Sequence, residues 1–231
     1  MVRAVVFDMD GVLVDTERDW DSARRRVAQA SGGQWQPNAT TDMIGMSAPE
    51  WSRYMHDELG VEAEAEEINR RVVARMLERV GSGPLLLPGA AAAVESLAAR
   101  WPLAVASSAN RQVIDAVLEA TGLARFFAAT VSSEEVPRGK PAPDVYLAAA
   151  RALSVDPSAV VAIEDSANGI RSAAAAGTVV VALPNVHYPP DAEALAQSDF
   201  LISALDELEP LSRSWRYCHR GARPRGPRQH D

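Results

Sequence analysis

Asp8 and Asp10 stand two residues apart where an apolar run ends, in "VVFDMDGVLVDTE" at 5–17. In extended chain, residues i and i+2 point the same way, so both carboxylates can face one pocket. Two close carboxylates do not both stay ionised without a counter-charge. A hard divalent cation is one such counter-charge. Carboxylate oxygens suit Mg2+, which takes few carboxylates and fills its shell with waters and phosphate oxygens. An EF-hand calcium loop fits poorly, because it needs glycine at its sixth position and glutamate at its twelfth. Counted from Asp8, the glycine here is the fourth residue, Gly11. Asp8, last on the strand, can attack phosphorus; Asp10 can protonate the leaving oxygen and then activate water.

Other apolar runs also end in polar groups. Glu164 and Asp165 follow "VVAI", Ser107 and Ser108 follow "LAVA", and Lys140 lies in "RGKPAPD". If these runs are neighbouring strands, the acids at 164 and 165 join Asp8 and Asp10 as a metal site. Lysine then offsets phosphate charge as a point cation. The serine hydroxyls, with backbone N–H groups at a helix start, can hold phosphoryl oxygens. Ser107 also reads as an N-cap for the helix that follows. The chain has no Walker-type glycine loop, so nucleoside triphosphates lack their main support.

The elements that would position these groups are legible in the apolar pattern. Residues 2–7, 103–106, 160–163 and 179–183 read as strands buried on both faces, and 128–131 as a weaker one. Helical stretches at 89–100, 110–121, 143–153 and 167–176 alternate with them. That alternation predicts an α/β fold, a three-layer core around a parallel sheet. Residues 17–82 break the rhythm and read as helices at 18–30, 48–59 and 63–80. They form a helical insertion over the carboxyl end of the first strand, where open α/β sheets bind ligands. The expected division is a catalytic core at 1–15 and 86–211, a helical cap at 16–85, and a basic, disordered tail at 212–231. Hinges are expected near Asp15–Glu17 and at "GSGP", where glycines absorb rotation.

The 231 residues carry a net charge of −8, which disfavours nucleic acid as a partner. No apolar run is long enough to span a membrane, and the first residues do not read as a signal peptide. Cys218 is the single cysteine, so an intrachain disulfide is impossible and a cytoplasmic location is expected. Six arginines crowd residues 213–231 against one acid, Asp231.

The stretches "DMDGVLVDTE", "ASSAN", "GKPAPD" and "EDSANGI" resemble, in order, the four motifs of the haloacid dehalogenase-like phosphatases with a helical cap after the first strand. The resemblance covers residues 3–211. It implies a Rossmann-like core and a Mg2+-dependent phosphoric monoester hydrolase acting on a small phosphorylated metabolite. It also implies residue roles. Asp8 is the nucleophile and a metal ligand, and Asp10 the acid/base with its carbonyl on the metal. Asp165 is a direct metal ligand, Glu164 a direct or water-mediated one. Ser107, Ser108 and Lys140 hold phosphate. The dehalogenases proper lack the second aspartate, which is present here. The sugar-phosphate mutases of the family carry a histidine where this chain has Trp20 and an arginine where it has Ala48, so phosphatase is preferred to mutase. A non-catalytic phosphate-binding module is the third reading. Substrate choice is expected from Glu17, Trp20 and Met46, although Trp20, like Trp35 and Trp51, reads first as cap packing. A monomer or weak dimer is expected.

Overall fold

The computed structural model describes residues 1–83 and 85–217. Six parallel strands form the central sheet: β1 (Ala4–Phe7), β2 (Leu103–Ser107), β3 (Phe127–Ser132), β4 (Val160–Glu164), β5 (Val179–Ala182) and β6 (Phe200–Leu201). Their order is β3-β2-β1-β4-β5-β6. The chain leaves β1, winds outward to β3, then returns to β4 on the other side of β1. This order puts the topological switch between β1 and β4, where ligands of open α/β sheets bind.

β1, β2, β4 and β5 are buried along their whole length because helices cover both faces. Alternation divides the sheet into two cores. Val5, Phe7, Val105, Val161, Ile163, Val179 and Val181 face one side, with α5 (Ala90–Ala98) and α6 (Arg111–Ala120). Ala4, Val6, Ala104, Ala106, Ala162 and Ala182 face the other, with α7 (Asp144–Ala152) and α8 (Ala167–Ala175). The small residues on that second face let α7 and α8 come close to the sheet.

Between β1 and β2 lie α1 (Glu17–Ala30), α2 (Ala39–Met43), α3 (Ala48–Asp57) and α4 (Ala65–Val80). The sequence pattern anticipated three of these. The short α2 carries too few residues to show a helical period. At α3, Ser47 and Glu50 form a reciprocal capping box, which explains its sharp start. The chain passes into and out of this four-helix segment along adjacent paths: Asp15 N–H donates to Leu85 O at 2.9 Å and Leu87 N–H to Leu13 O at 3.0 Å.

α9 (Ala192–Leu195) precedes β6, and α10 (Leu208–Ser212) follows it. The basic tail was expected to begin at 212. Trp215 instead is fully buried against the α5 and α10 side of the core, its ring 5.6 Å from that of Trp101. An indole in a basic, proline-containing stretch carries no periodic signal, but it buries enough apolar area to anchor the chain. Residues 218–231, with Cys218 and most of the arginines, lie outside the described residues. Among the described residues no helix is long and apolar enough to cross a membrane.

Trp215→Ala should cost about 3–5 kcal/mol in chemical unfolding. Trp215→Phe should cost much less, because the buried indole N–H has no hydrogen-bond partner among the described residues to lose. Equal losses for the two variants would mean that packing is not what holds this segment.

Candidate active site

Register brings the acids together. Phe7 pairs with Ile163 on β4 and with Val105 on β2, so Asp8, Glu164 and the end of β2 share one sheet edge. Asp8 N–H extends the ladder to Ile163 O at 3.0 Å. Single oxygens of Asp8, Glu164 and Asp165 lie within 4.8 Å of one another, and all three residues are buried.

Lys140 crosses into this edge from the loop before α7. Its Nζ donates to Asp8 Oδ1 and to Glu164 Oε1, each at 2.6 Å. Tyr146, one turn into α7, donates its hydroxyl to the same Glu164 oxygen at 2.6 Å. The other Glu164 oxygen accepts from Asp165 N–H and from the Ser166 hydroxyl at 3.2 and 3.3 Å. Glu164, expected as a metal ligand, accepts hydrogen bonds on both oxygens and is a counter-ion that fixes Lys140, and one of its oxygens also belongs to the acidic cluster that could hold a metal ion. Asp165 differs. Its Oδ2 accepts from Asn185 Nδ2 at 2.8 Å, while its buried Oδ1 has no hydrogen-bond partner among the described residues. A buried carboxylate oxygen without a partner is costly, and an all-oxygen cluster around it fits a hard divalent cation.

The electrostatics agree with the geometry. Burial pushes the Asp8 carboxyl well above its usual range, against the pull of Lys140. Burial, with repulsion from Glu17, Asp8 and Glu164, does the same to Asp165. Burial alone would lower the Lys140 ammonium, but Asp8 and Glu164 outweigh it and raise it. The lysine is thus held charged.

Asp10 is half-buried and held from two sides. Thr16 donates its hydroxyl and Trp20 its indole N–H, the latter at 2.9 Å, to Asp10 Oδ1. Ser107, fully buried, approaches Oδ2 at 3.4 Å and accepts from Ala109 N–H at 3.0 Å. The N-cap position of α6 belongs to Asn110, so Ser107 does not cap the helix as the sequence suggests but closes the turn after β2; the half-buried Ser108 lines the pocket wall. The pocket is a void of about 40 Å3 bounded by Asp8, Asp10, Lys140 and Asp165 below, and by Glu17, Trp20, Arg24, Met46 and Trp51 above. It has room for about three waters. Glu17, Trp20 and Met46 thus meet Asp8, Asp10 and Asp165 in one pocket, and so does Trp51. Trp35 lies elsewhere, under the Arg25 guanidinium at 4.7 Å.

The four-helix segment is bonded to the sheet edge around this void. Ser108 Oγ donates to Gly45 O, and Asn168 Nδ2 to Ile44 O, each at 2.9 Å. Asn168 reads in sequence as first-turn helix polarity, yet its amide reaches the segment above. Thr16, Tyr146, Asn185 and Arg24 were missed. Asn185 had a signal, a polar residue directly after the apolar run of β5. Tyr146 and Arg24 had none, since each depends on packing between distant elements.

A family model of haloacid dehalogenase-like hydrolases matches residues 2–177. Hexitol phosphatase B of Escherichia coli K12 is 34% identical over 215 residues, which cover 90% of this chain and 94% of that protein. The bifunctional riboflavin kinase/FMN phosphatase of Arabidopsis thaliana is 29% identical over 209 residues, or 88% of this chain; the chain spans 54% of that protein's length. The solved structure of CbbY from Rhodobacter sphaeroides in complex with phosphate matches with a TM-score of 0.79 at 29% identity, covering 90% of this chain and 96% of that one.

Two glycines are required by close approach. Gly11 has φ +79°, and a Cβ there would sit 1.9 Å from Asp165 Oδ2. A Cβ on Gly169 would sit 1.9 Å from Glu164 Oε2. Since Glu164 is fixed at both oxygens, Gly169→Ala must dislodge it from Lys140. The expected cost is about 3 kcal/mol or more in urea unfolding, as for breaking a buried ion pair. A variant as stable as the parent would show that Glu164 does not hold this position.

Proposed function

This chain belongs to the haloacid dehalogenase-like hydrolases, and from that membership we propose that it is a Mg2+-dependent phosphatase working through an aspartyl-phosphate on Asp8. The observation that carries the reading is the buried Asp8–Lys140 pair opening into the same void as Asp10. In the first half-reaction an Asp8 carboxylate oxygen bonds to phosphorus and the ester P–O bond breaks. Asp10 gives its proton to the departing oxygen. In the second, water bonds to the same phosphorus while Asp10 takes its proton, and the P–O bond to Asp8 breaks to release phosphate. Lys140 pairs with Asp8 at rest and offsets phosphoryl charge during transfer. Ser107 and Ser108, with backbone N–H groups at the end of β2, take phosphoryl oxygens.

Asp8, Asp165 and the backbone carbonyl of Asp10 would hold Mg2+, with Glu164 as a direct or water-mediated ligand that also orients Lys140. When bound, the ion supplies positive charge against the phosphoryl oxygens.

Residues 16–85 act as a cap over the core at 1–15 and 86–211. A void of about 40 Å3 is too small for a sugar phosphate, so entry requires the cap to swing on its paired crossings. The cap then closes to exclude water. A sugar-phosphate mutase is less well supported: position 20 holds an indole that donates to Asp10, and Ala48 is fully buried at the start of α3. A small phosphorylated metabolite is the substrate class, in keeping with the hexitol phosphatase relative.

Asp8→Asn should lower kcat on p-nitrophenyl phosphate at least about a hundredfold without loss of fold, because an amide is no substitute nucleophile. Residual activity above that level would favour direct attack by water. EDTA should abolish turnover and Mg2+ restore it. Full activity in EDTA would remove the metal from the mechanism, and no turnover under saturating Mg2+ would return the non-catalytic phosphate-binding module.

A further inference from the structure

Arg24 stands apart among the described arginines of the four-helix segment because it is buried. Arg25 pairs with Asp21, Arg70 and Arg71 with Glu67, and Arg79 with Asp19. Arg24 has no recorded hydrogen bond or ion pair among the described residues, and its buried Nε has no partner. Only 9% of the residue is exposed. Its guanidinium lies over the rings of Trp20 and Trp51, 5.3 and 5.1 Å from their centroids. Those rings bound the same void as Asp8, Asp10 and Lys140.

This arrangement has a cost. A buried cation without a partner loses several kcal/mol of hydration, and aromatic faces return roughly 0.5–2 kcal/mol. Two indole rings lie against the guanidinium, and they leave its N–H donors without a hydrogen-bond acceptor among the described residues. The guanidinium edge matches a carboxylate or phosphate in two-point contact, and the rings hold it ready. Glu17, Asp10 and Asp21 act on Arg24 through space, yet none comes within ion-pair distance. Burial and the nearness of Asp10 push the Glu17 carboxyl up to about 7, so it is a weak counter-ion near neutral pH.

We propose that Arg24 recognises a second anionic group on the substrate, so that the preferred substrates are small phosphate esters that also carry a carboxylate or a second phosphate. This rests on the phosphatase reading of the site. A neutral sugar monophosphate would leave the guanidinium edge unpaired in a closed pocket, and a site built for a polar group rejects an analogue lacking it far more strongly than one lacking a methylene.

The test compares matched esters under saturating Mg2+. One pair is 3-phosphoglycerate and glycerol 1-phosphate, which differ by a carboxylate in place of a hydroxymethyl. The other is ribulose 1,5-bisphosphate and ribulose 5-phosphate. The wild-type protein should favour the doubly anionic member of at least one pair by tenfold or more in kcat/KM; which pair responds tells carboxylate from phosphate. Arg24→Met should cut that ratio at least tenfold, and Arg24→Lys should recover part of it. Equal kcat/KM within both wild-type pairs overturns the inference, as does an Arg24→Met that lowers both members alike. If Arg24→Met fails to fold by circular dichroism, the wild-type ratios and Arg24→Lys still decide. If nothing is turned over, p-nitrophenyl phosphate included, the phosphatase reading has failed, and calorimetric Kd values for the same four esters then read the Arg24 inference alone. A tenfold tighter Kd for a doubly anionic member upholds it, and equal values overturn it.

Discussion

The ammonium of Lys140, buried between the carboxylates of Asp8 and Glu164, is the interaction on which the rest of this sheet edge depends. A buried ion cluster is a poor way to stabilise a fold, since apolar residues of the same volume often do as well or better. Its value is positional. Two charge-assisted contacts of 2.6 Å fix one amine against the strand end that carries Asp8. The surroundings then have to make the cluster tolerable. Tyr146 and the Asp165 N–H complete Glu164, Gly169 makes room for its carboxylate, and Gly11 does the same for Asp165. α7 supplies Tyr146 from its first turn, just after the loop that carries Lys140, so one short stretch delivers both partners of Glu164.

Much of this was legible in the sequence, for a specific reason. Strands buried on both faces are nearly uninterrupted apolar runs, so the polar residues that end them stand out. In a parallel sheet all such ends lie on one side. Asp8, Asp10, Ser107, Glu164 and Asp165 could be gathered by that rule alone. The rule does not distinguish roles. It grouped Glu164 with Asp165, which do lie in one acidic cluster, but it did not show that Glu164 also faces the lysine while Asp165 has an oxygen without a hydrogen bond among the described residues. It was silent wherever contacts join distant elements without a period: Asn168 to Ile44, Trp215 to Trp101, Arg24 to Trp51. The two-residue β6 is too short for any pattern, and its place comes from pairing with β5.

The same limit explains why substrate choice and chemistry are written in different parts of the chain. The acids and the lysine sit on strand ends, where the sheet sets spacing to within the reach of a hydrogen bond. The upper wall comes from helix faces, where Glu17, Trp20 and Arg24 approach because α1 packs on α4 and its indole at 20 meets Trp51 from α3 at 6.4 Å. Helix faces can be re-dressed without moving the strand ends. A relative can therefore share the lower half of the pocket while its upper half suits another compound.

The two halves are not independent, however. Asp10 takes hydrogen bonds from Thr16, at the entrance to the four-helix segment, and from Trp20, one turn into α1. Both donors orient the carboxylate, and the indole does so only while α1 lies against the sheet edge. If the segment swings out, Asp10 loses its indole partner, and Thr16 remains because it sits at the crossing itself. The orientation of Asp10 thus depends on the helix that also presents Arg24. A ligand that draws α1 down through Arg24 would also align Asp10 over Asp8, so binding at the far end of a substrate would be linked to proton transfer at the phosphoryl end by one rigid turn of helix.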